Sequence, residues 1–226
     1  MKIGSLPPVL TPVALLFVLA IGALAADPVH KDPAPVSPDT GLARLTEGNK
    51  RFVAGTPARN TPTAQQWAEL AKGQHPFAIV LTCADSRLSP ELIFDQGLGD
   101  LFVLRNAGNL ADPHVLGSME YAVEHLGCRL IIVLGHTKCG AVTAAVSGGE
   151  APGHIKDIVD DIIPAASMAK KKPGDPVENA VRINTKFTAN AISQAEPILG
   201  HAVKAGQLKV VSARYDISTG AVEFLQ

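Results

Sequence analysis

Two short stretches carry side chains that could do chemistry together: Cys83-Ala84-Asp85-Ser86-Arg87 and His136-Thr137-Lys138-Cys139-Gly140. Two thiols and one imidazole form a ligand set suited to zinc, one Zn2+ per chain, and three protein ligands leave a fourth position for water. Asp85 can accept a hydrogen bond from water there or become a ligand itself. Arg87 can hold that carboxylate in a fork-shaped pair, which fixes its direction and keeps it ionised. Cys139 stands where a helix N-terminus would help it toward the thiolate, and Gly140 beside it leaves room for a small ligand to approach the backbone. Two thiolates cancel the formal charge of the ion, so water is acidified less than by three histidines, for which a pKa of roughly 7 is the reference. A carboxylate that orients the water is then correspondingly valuable. Plainer readings stand beside this one: Cys83 and Cys139 as ordinary buried thiols, or as disulfide partners in an exported protein.

The elements that must position these groups are legible around them. Phe77 to Leu81 and Leu130 to Leu134 are unbroken apolar runs, and each precedes one motif, so each motif is expected where a buried parallel strand ends. Open α/β sheets bind ligands at that edge. Asp100 to Asn106 reads as another strand. Asp112-Pro113 then caps a helix whose stripe of Leu116, Met119, Val123 and Leu126 runs to Gly127, completing a strand, helix, strand crossover. Further helices are expected over Ala141 to Val146, around Ile155, Val159 and Ile162, and from Asp175-Pro176 through Phe187. Leu208 to Ala213 and Ala221 to Leu225 suggest a fourth strand and an antiparallel edge strand. Ahead of the sheet, Leu42, Leu45, Asn49 and Phe52 recur at helical spacing, and a shorter helix surrounds Trp67 and Leu70. The fold class is therefore α/β: a central parallel sheet of about four strands with an antiparallel edge strand, flanked by helices, with an N-terminal helical arm.

Composition sets the outer limits. With 226 residues, 46% hydrophobic and 18% charged, the chain suits one domain, placed at residues 41–226. A net charge of −1 gives no reason to expect nucleic acid, and three cysteines are too few for a disulfide framework. At the start, Lys2 precedes an apolar run from Val13 to Ala25 that ends in Ala23-Leu24-Ala25, the pattern of a signal peptide over residues 1–25, cleaved after Ala25. About 13 apolar residues fall short of the ~20 of a spanning helix, so export to the periplasm without a stable membrane span is expected. Residues 26–40, with four prolines at Pro28, Pro33, Pro35 and Pro38, are expected to be a disordered lead-in. Cys128 has no partner motif and reads as a small buried residue. His30, His75, His114, His125, His154 and His201 fit surface or capping roles better than proton relays.

Cys83-x-Asp85-x-Arg87 followed by His136-x-x-Cys139 resembles the paired signature of the β-class carbonic anhydrases, from about Leu42 to Leu225. Gly48-Asn49-Lys50-Arg51-Phe52, Phe102-Val103-Leu104-Arg105-Asn106-Ala107-Gly108-Asn109, Tyr121-Ala122-Val123, and Tyr215-Asp216 with Thr219-Gly220 add to the resemblance. It implies a zinc hydroxide that converts CO2 to bicarbonate reversibly, with Cys83, His136 and Cys139 as ligands and Asp85 and Arg87 as the dyad that orients the hydroxide. It also implies a substrate pocket containing Gln74, Phe102, Tyr121 and Gly140, built in part from the neighbouring subunit of a homodimer or tetramer. Gln74 as a loop residue and Phe102 as core are the bland alternatives. A tryptophan three residues before the first cysteine accompanies a second, inhibitory bicarbonate pocket in some members. Val80 stands there, so that pocket is expected to be absent although Arg105 matches another of its residues. Two other functions fit the scaffold: hydrolysis of carbonyl sulfide or carbon disulfide, and a non-catalytic protein with structural zinc or redox thiols.

Overall fold

A computed structural model describes residues 35–59 and 61–225. The expected signal peptide and most of the proline-rich lead-in lie outside the described residues. Helix α1 spans Pro38–Val53, capped by Ser37, whose Oγ accepts from the Thr40 N–H. The lead-in therefore ends before residue 40, contrary to the expected boundary. Ser37-Pro38-Asp39 is a helix start, with a capping serine, a proline at the first helical position and an acid in the first turn. Leu45 on α1 is fully buried. Helix α2, Ala64–Leu70, carries a Thr63/Gln66 capping box but buries none of its residues.

The remaining elements follow as β1 (Ala78–Cys83), α3 (Pro90–Ile93), β2 (Leu101–Asn106), α4 (Pro113–His125), β3 (Leu130–His136), α5 (Gly140–Ser147), α6 (Ile155–Ala169), α7 (Pro176–Gln194), α8 (Leu199–Lys204), β4 (Lys209–Tyr215) and β5 (Val222–Phe224). The sheet order is β2-β1-β3-β4-β5, parallel from β2 to β4 with β5 antiparallel at the edge. This is the expected α/β class. Every residue of β1 and β3 is buried, as continuous apolar runs in the middle of a two-faced sheet require.

The order of strands positions the site. From β1 the chain passes outward to β2 on one side, whereas β3 lies on the other side of β1 and leads on toward β4. The loops after β1 and β3 thus diverge, and a crevice opens between their carboxyl ends, where open α/β sheets receive ligands. Cys83 is the last residue of β1 and His136 the last of β3. Thr82 Oγ1 ties the two strands together beside them, donating to Leu134 O at 2.9 Å.

The core has two parts. One contains Val80, Ile132, Leu134, Val142, Ile162 and Val181; the other contains Ile79, Leu81, Met119, Val123, Ile131 and Ile192. Helix α7 contributes to both. It approaches β3 so closely at Gly135 that an added Cβ would lie 2.1 Å from Thr185 Oγ1. Away from the crevice, Asp95 is a second organising residue. Its side chain is 0% exposed and accepts hydrogen bonds from Arg51 Nε, Ala58 N, Arg59 N and Arg59 Nη1, fastening the loop after α1 to the end of α3. Among the described residues no helix is long and apolar enough to cross a membrane.

Candidate metal centre

Cys83, His136 and Cys139 are all buried, and their ligand atoms lie within 4.8 Å of one another. The turn that permits this passes through Lys138, which holds a left-handed φ of 56°. Cys139 is the N-cap of α5. The two sulfurs are 4.0 Å apart, far beyond the ~2.05 Å of a disulfide. Zinc–sulfur bonds of about 2.3 Å in a tetrahedral site put two sulfurs about 3.8 Å apart, so the spacing suits a shared ion. Their mutual hydrogen bond lowers the Cys83 thiol and, together with burial, raises that of Cys139.

His136 gives the clearest sign of a ligand. Its ring is fully buried, and Nδ1 lies 2.9 Å from Thr137 O. A carbonyl can only accept, so Nδ1 carries the hydrogen and Nε2 presents a lone pair. That Nε2 is buried without any hydrogen-bond partner. A backbone carbonyl that fixes the tautomer of an otherwise unsatisfied imidazole is the usual outer support of a metal-bound histidine.

The carboxylate beside this centre is held rather than free. Arg87 Nε donates to Asp85 Oδ1 at 2.9 Å and Nη2 to Oδ2 at 2.7 Å, while the Arg87 backbone N–H adds a third bond to Oδ1. The Arg87 hydrogen bonds hold the Asp85 carboxyl well below the usual carboxylate range. Gly140 opens α5, and a Cβ there would meet nothing within 4 Å, so the approach to the helix N-terminus is clear.

The described chain aligns over residues 78–222 with the family model for carbonic anhydrase. Carbonic anhydrase 2 of Mycobacterium tuberculosis is 38% identical over 188 residues, covering 81% of this chain and 91% of that protein. The carbonic anhydrase of Mycolicibacterium smegmatis is 38% identical over 191 residues, covering 83% and 93%. The chain belongs to the β-class carbonic anhydrase family. A solved β-carbonic anhydrase from Coccomyxa, in complex with acetazolamide, shares the fold with a TM-score of 0.65 and 28% identity over 81% of this chain and 86% of that one.

For a carbonic anhydrase, the pocket residues are placed less simply than the metal ligands. Gln74 is exposed and precedes β1, at the opposite end of that strand from Cys83. Phe102 packs with the second core cluster, whereas Cys83 and Cys139 belong to the first. Tyr121 on α4 is 48% exposed and lies at a tilt against His125 with ring centroids 5.3 Å apart. One chain does not bring these three to its own centre. Two groups that do reach the centre lie in the Phe102–Asn109 stretch of the resemblance, which gave them no role at the metal ligands. Arg105 Nε donates to Cys83 O and its Nη2 to Asp85 O at 2.7 Å, gripping the loop between ligand and carboxylate. Gly108 N–H points to Cys83 Sγ at 3.5 Å. Cys128 is buried, as expected; its thiol donates to Pro76 O, and burial pushes it up to about 12.

Proposed function

We propose that this carbonic anhydrase interconverts CO2 and bicarbonate at one zinc ion held by Cys83 Sγ, His136 Nε2 and Cys139 Sγ, with Asp85 and Arg87 as the catalytic pair. The observation that carries this reading is the partnerless, fully buried Nε2 of His136 facing two sulfurs within 4.8 Å. Bound there, zinc supplies Lewis-acid activation of water toward CO2.

The chain's own residues do the rest. Both Asp85 oxygens are engaged by Arg87, which supports a carboxylate that would orient water at the centre and would not itself hold the metal. Held ionised, Asp85 would accept a hydrogen bond from the water that adds to CO2 and so orient it. Arg105 keeps Asp85 and Cys83 in fixed relation by gripping their carbonyls. The clear space over Gly140 leaves room for a three-atom substrate against the α5 N-terminus, whose dipole favours the negative charge gained on hydration.

The pocket is completed by a second copy of the chain. Gln74, Phe102 and Tyr121 stand away from their own centre, and β2 is an edge strand whose Phe102, Val103 and Leu104 are half-buried. Both features suit a homodimer in which these residues face the partner's metal.

The test is stopped-flow CO2 hydration by protein whose zinc content has been measured, with carbonyl sulfide and carbon disulfide as comparison substrates. Rapid, zinc-dependent hydration that exceeds turnover of the sulfur analogues is the expected result. Protein with one zinc per chain and no CO2 hydration would overturn the function and leave the fold standing.

A further inference from the structure

Helix α7 reaches the metal centre from behind. Asn184, 3% exposed, donates from Nδ2 to Gly108 O at 2.9 Å. The next residue, Thr185, is the one that Gly135 meets beneath β3. Consecutive residues of one helix thus touch the loop beside Cys83 and the strand that ends in His136.

The loop contacted by Asn184 needs to be held. Gly108 has a φ of 81° and Asn109 a φ of 49°, two successive left-handed residues, a conformation that single residues visit but runs avoid. Asn106 closes the loop below, accepting from Leu110 N at Oδ1 and donating from Nδ2 to Leu110 O. Above, a Cβ at Gly108 would lie 2.8 Å from Ile162 Cδ1, so a side chain there would have to push aside the end of that residue on α6 as well as adopt a left-handed φ. The consequence of this geometry is the Gly108 N–H directed at Cys83 Sγ, 3.5 Å away. A hydrogen bond to a ligand sulfur withdraws charge from it and so adjusts how strongly it donates to a cation, the role that outer partners play at metal centres.

We propose that Asn184 is a positioning residue of the centre: by holding Gly108 O it fixes the turn so that Gly108 N–H stays aimed at the Cys83 sulfur. This rests on the metal-binding reading above. It assigns a function to a buried asparagine outside both metal motifs and some 100 positions from the first, a separation on the order of a whole small domain.

The experiment uses the full chain loaded with 113Cd in place of zinc. An N–H···S bond transmits scalar coupling from the amide proton to the metal, so the Gly108 amide is expected to couple to cadmium. In Asn184→Leu and Asn184→Asp that coupling should vanish, while couplings through Cys139 persist. Cobalt-loaded variants should show a red-shifted sulfur-to-cobalt charge-transfer band, because a sulfur without its donor gives up charge more easily. Zinc affinity should nonetheless fall roughly tenfold, because the turn beside Cys83 is no longer held in place for the ion. Ile192→Val, far along the same helix, should lower stability without moving either spectrum. No Gly108 coupling in the unaltered protein, or a coupling retained in both variants, would overturn the proposal. Failure to take up cadmium at all is a different result: it removes the metal-binding reading itself and this proposal with it.

Discussion

Replacing Gly135 by alanine tests how tightly the sheet and α7 fix His136. The new Cβ would lie 2.1 Å from Thr185 Oγ1, but 3.4 Å from Thr185 Cβ and 3.4 Å from Val181 Cγ1. Only the hydroxyl is in conflict. It cannot swing away freely, because Thr185 is fully buried and its Oγ1 donates to Val181 O at 2.8 Å. Overpacking of a closed core costs about 1–3 kcal/mol, and an overlap of more than an ångström with a fixed atom places Gly135→Ala at about 3 kcal/mol. Thr185→Ala alone loses one hydrogen bond and leaves a small void, about 1–1.5 kcal/mol. In the double variant the alanine methyl fills that void at ordinary contact distance. Its loss should be about 1 kcal/mol, giving a coupling of about 3 kcal/mol between the two sites. Equilibrium urea unfolding of the two single variants and the double variant at saturating zinc measures this directly. Thr185→Val keeps an atom where the hydroxyl was and should not rescue. Additive losses in the double variant would refute the packing described, and with it the idea that α7 sets the position of His136.

Two further outcomes follow from the site and its surroundings. Asp85→Asn should retain zinc but lose about 100-fold or more in CO2 hydration at neutral pH, since general acid–base and orienting groups contribute factors of about 10²–10⁴; unchanged hydration would remove Asp85 from the chemistry. At Asp95, burial opposes ionisation, but the Ala58 N–H and the bonds from Arg51 and Arg59 together hold the carboxyl below its ordinary 3.8. A depressed folded pKa means that the unfolded state binds more protons, so this stabilisation is complete above the ordinary carboxyl value and is lost as pH falls through the folded one. Asp95→Asn should cost about 2–3 kcal/mol at pH 7, less than the ~3–5 of a fully enclosed pair because both arginines keep some solvent contact. In urea titrations from pH 7 to pH 3 the gap between wild type and variant should narrow at the acid end. A gap independent of pH would contradict the assignment.

The metal motifs were readable because strand ends and chemistry coincide in the chain. Phe77 to Leu81 and Leu130 to Leu134 announce buried strands, and the residues just beyond them must emerge at one sheet edge, so Cys83, Asp85, Arg87, His136 and Cys139 converge by topology. Gln74, Phe102 and Tyr121 were harder to place, because type and spacing do not say which end of β1 or which face of the sheet a residue occupies. Arg105 and Asn184 act on backbone carbonyls of distant loops, at Cys83, Asp85 and Gly108. Many polar residues can do that, so the quoted stretch around Arg105 does not reveal its grip on these carbonyls, and Asn184 lies in no motif at all. The start of α1 was obscured by composition: prolines that made residues 26–40 look unstructured include Pro38, which opens the helix. Helix α3 is four residues long, too short to leave a periodic pattern.

The most direct measurement of the central claim is X-ray absorption at the zinc edge of the purified full chain. The expected spectrum shows two sulfur neighbours at about 2.3 Å and two lighter neighbours at about 2.0–2.1 Å, one of them with the outer scattering of an imidazole. A spectrum with no sulfur at bonding distance, or with four, would contradict a centre built from Cys83, His136 and Cys139.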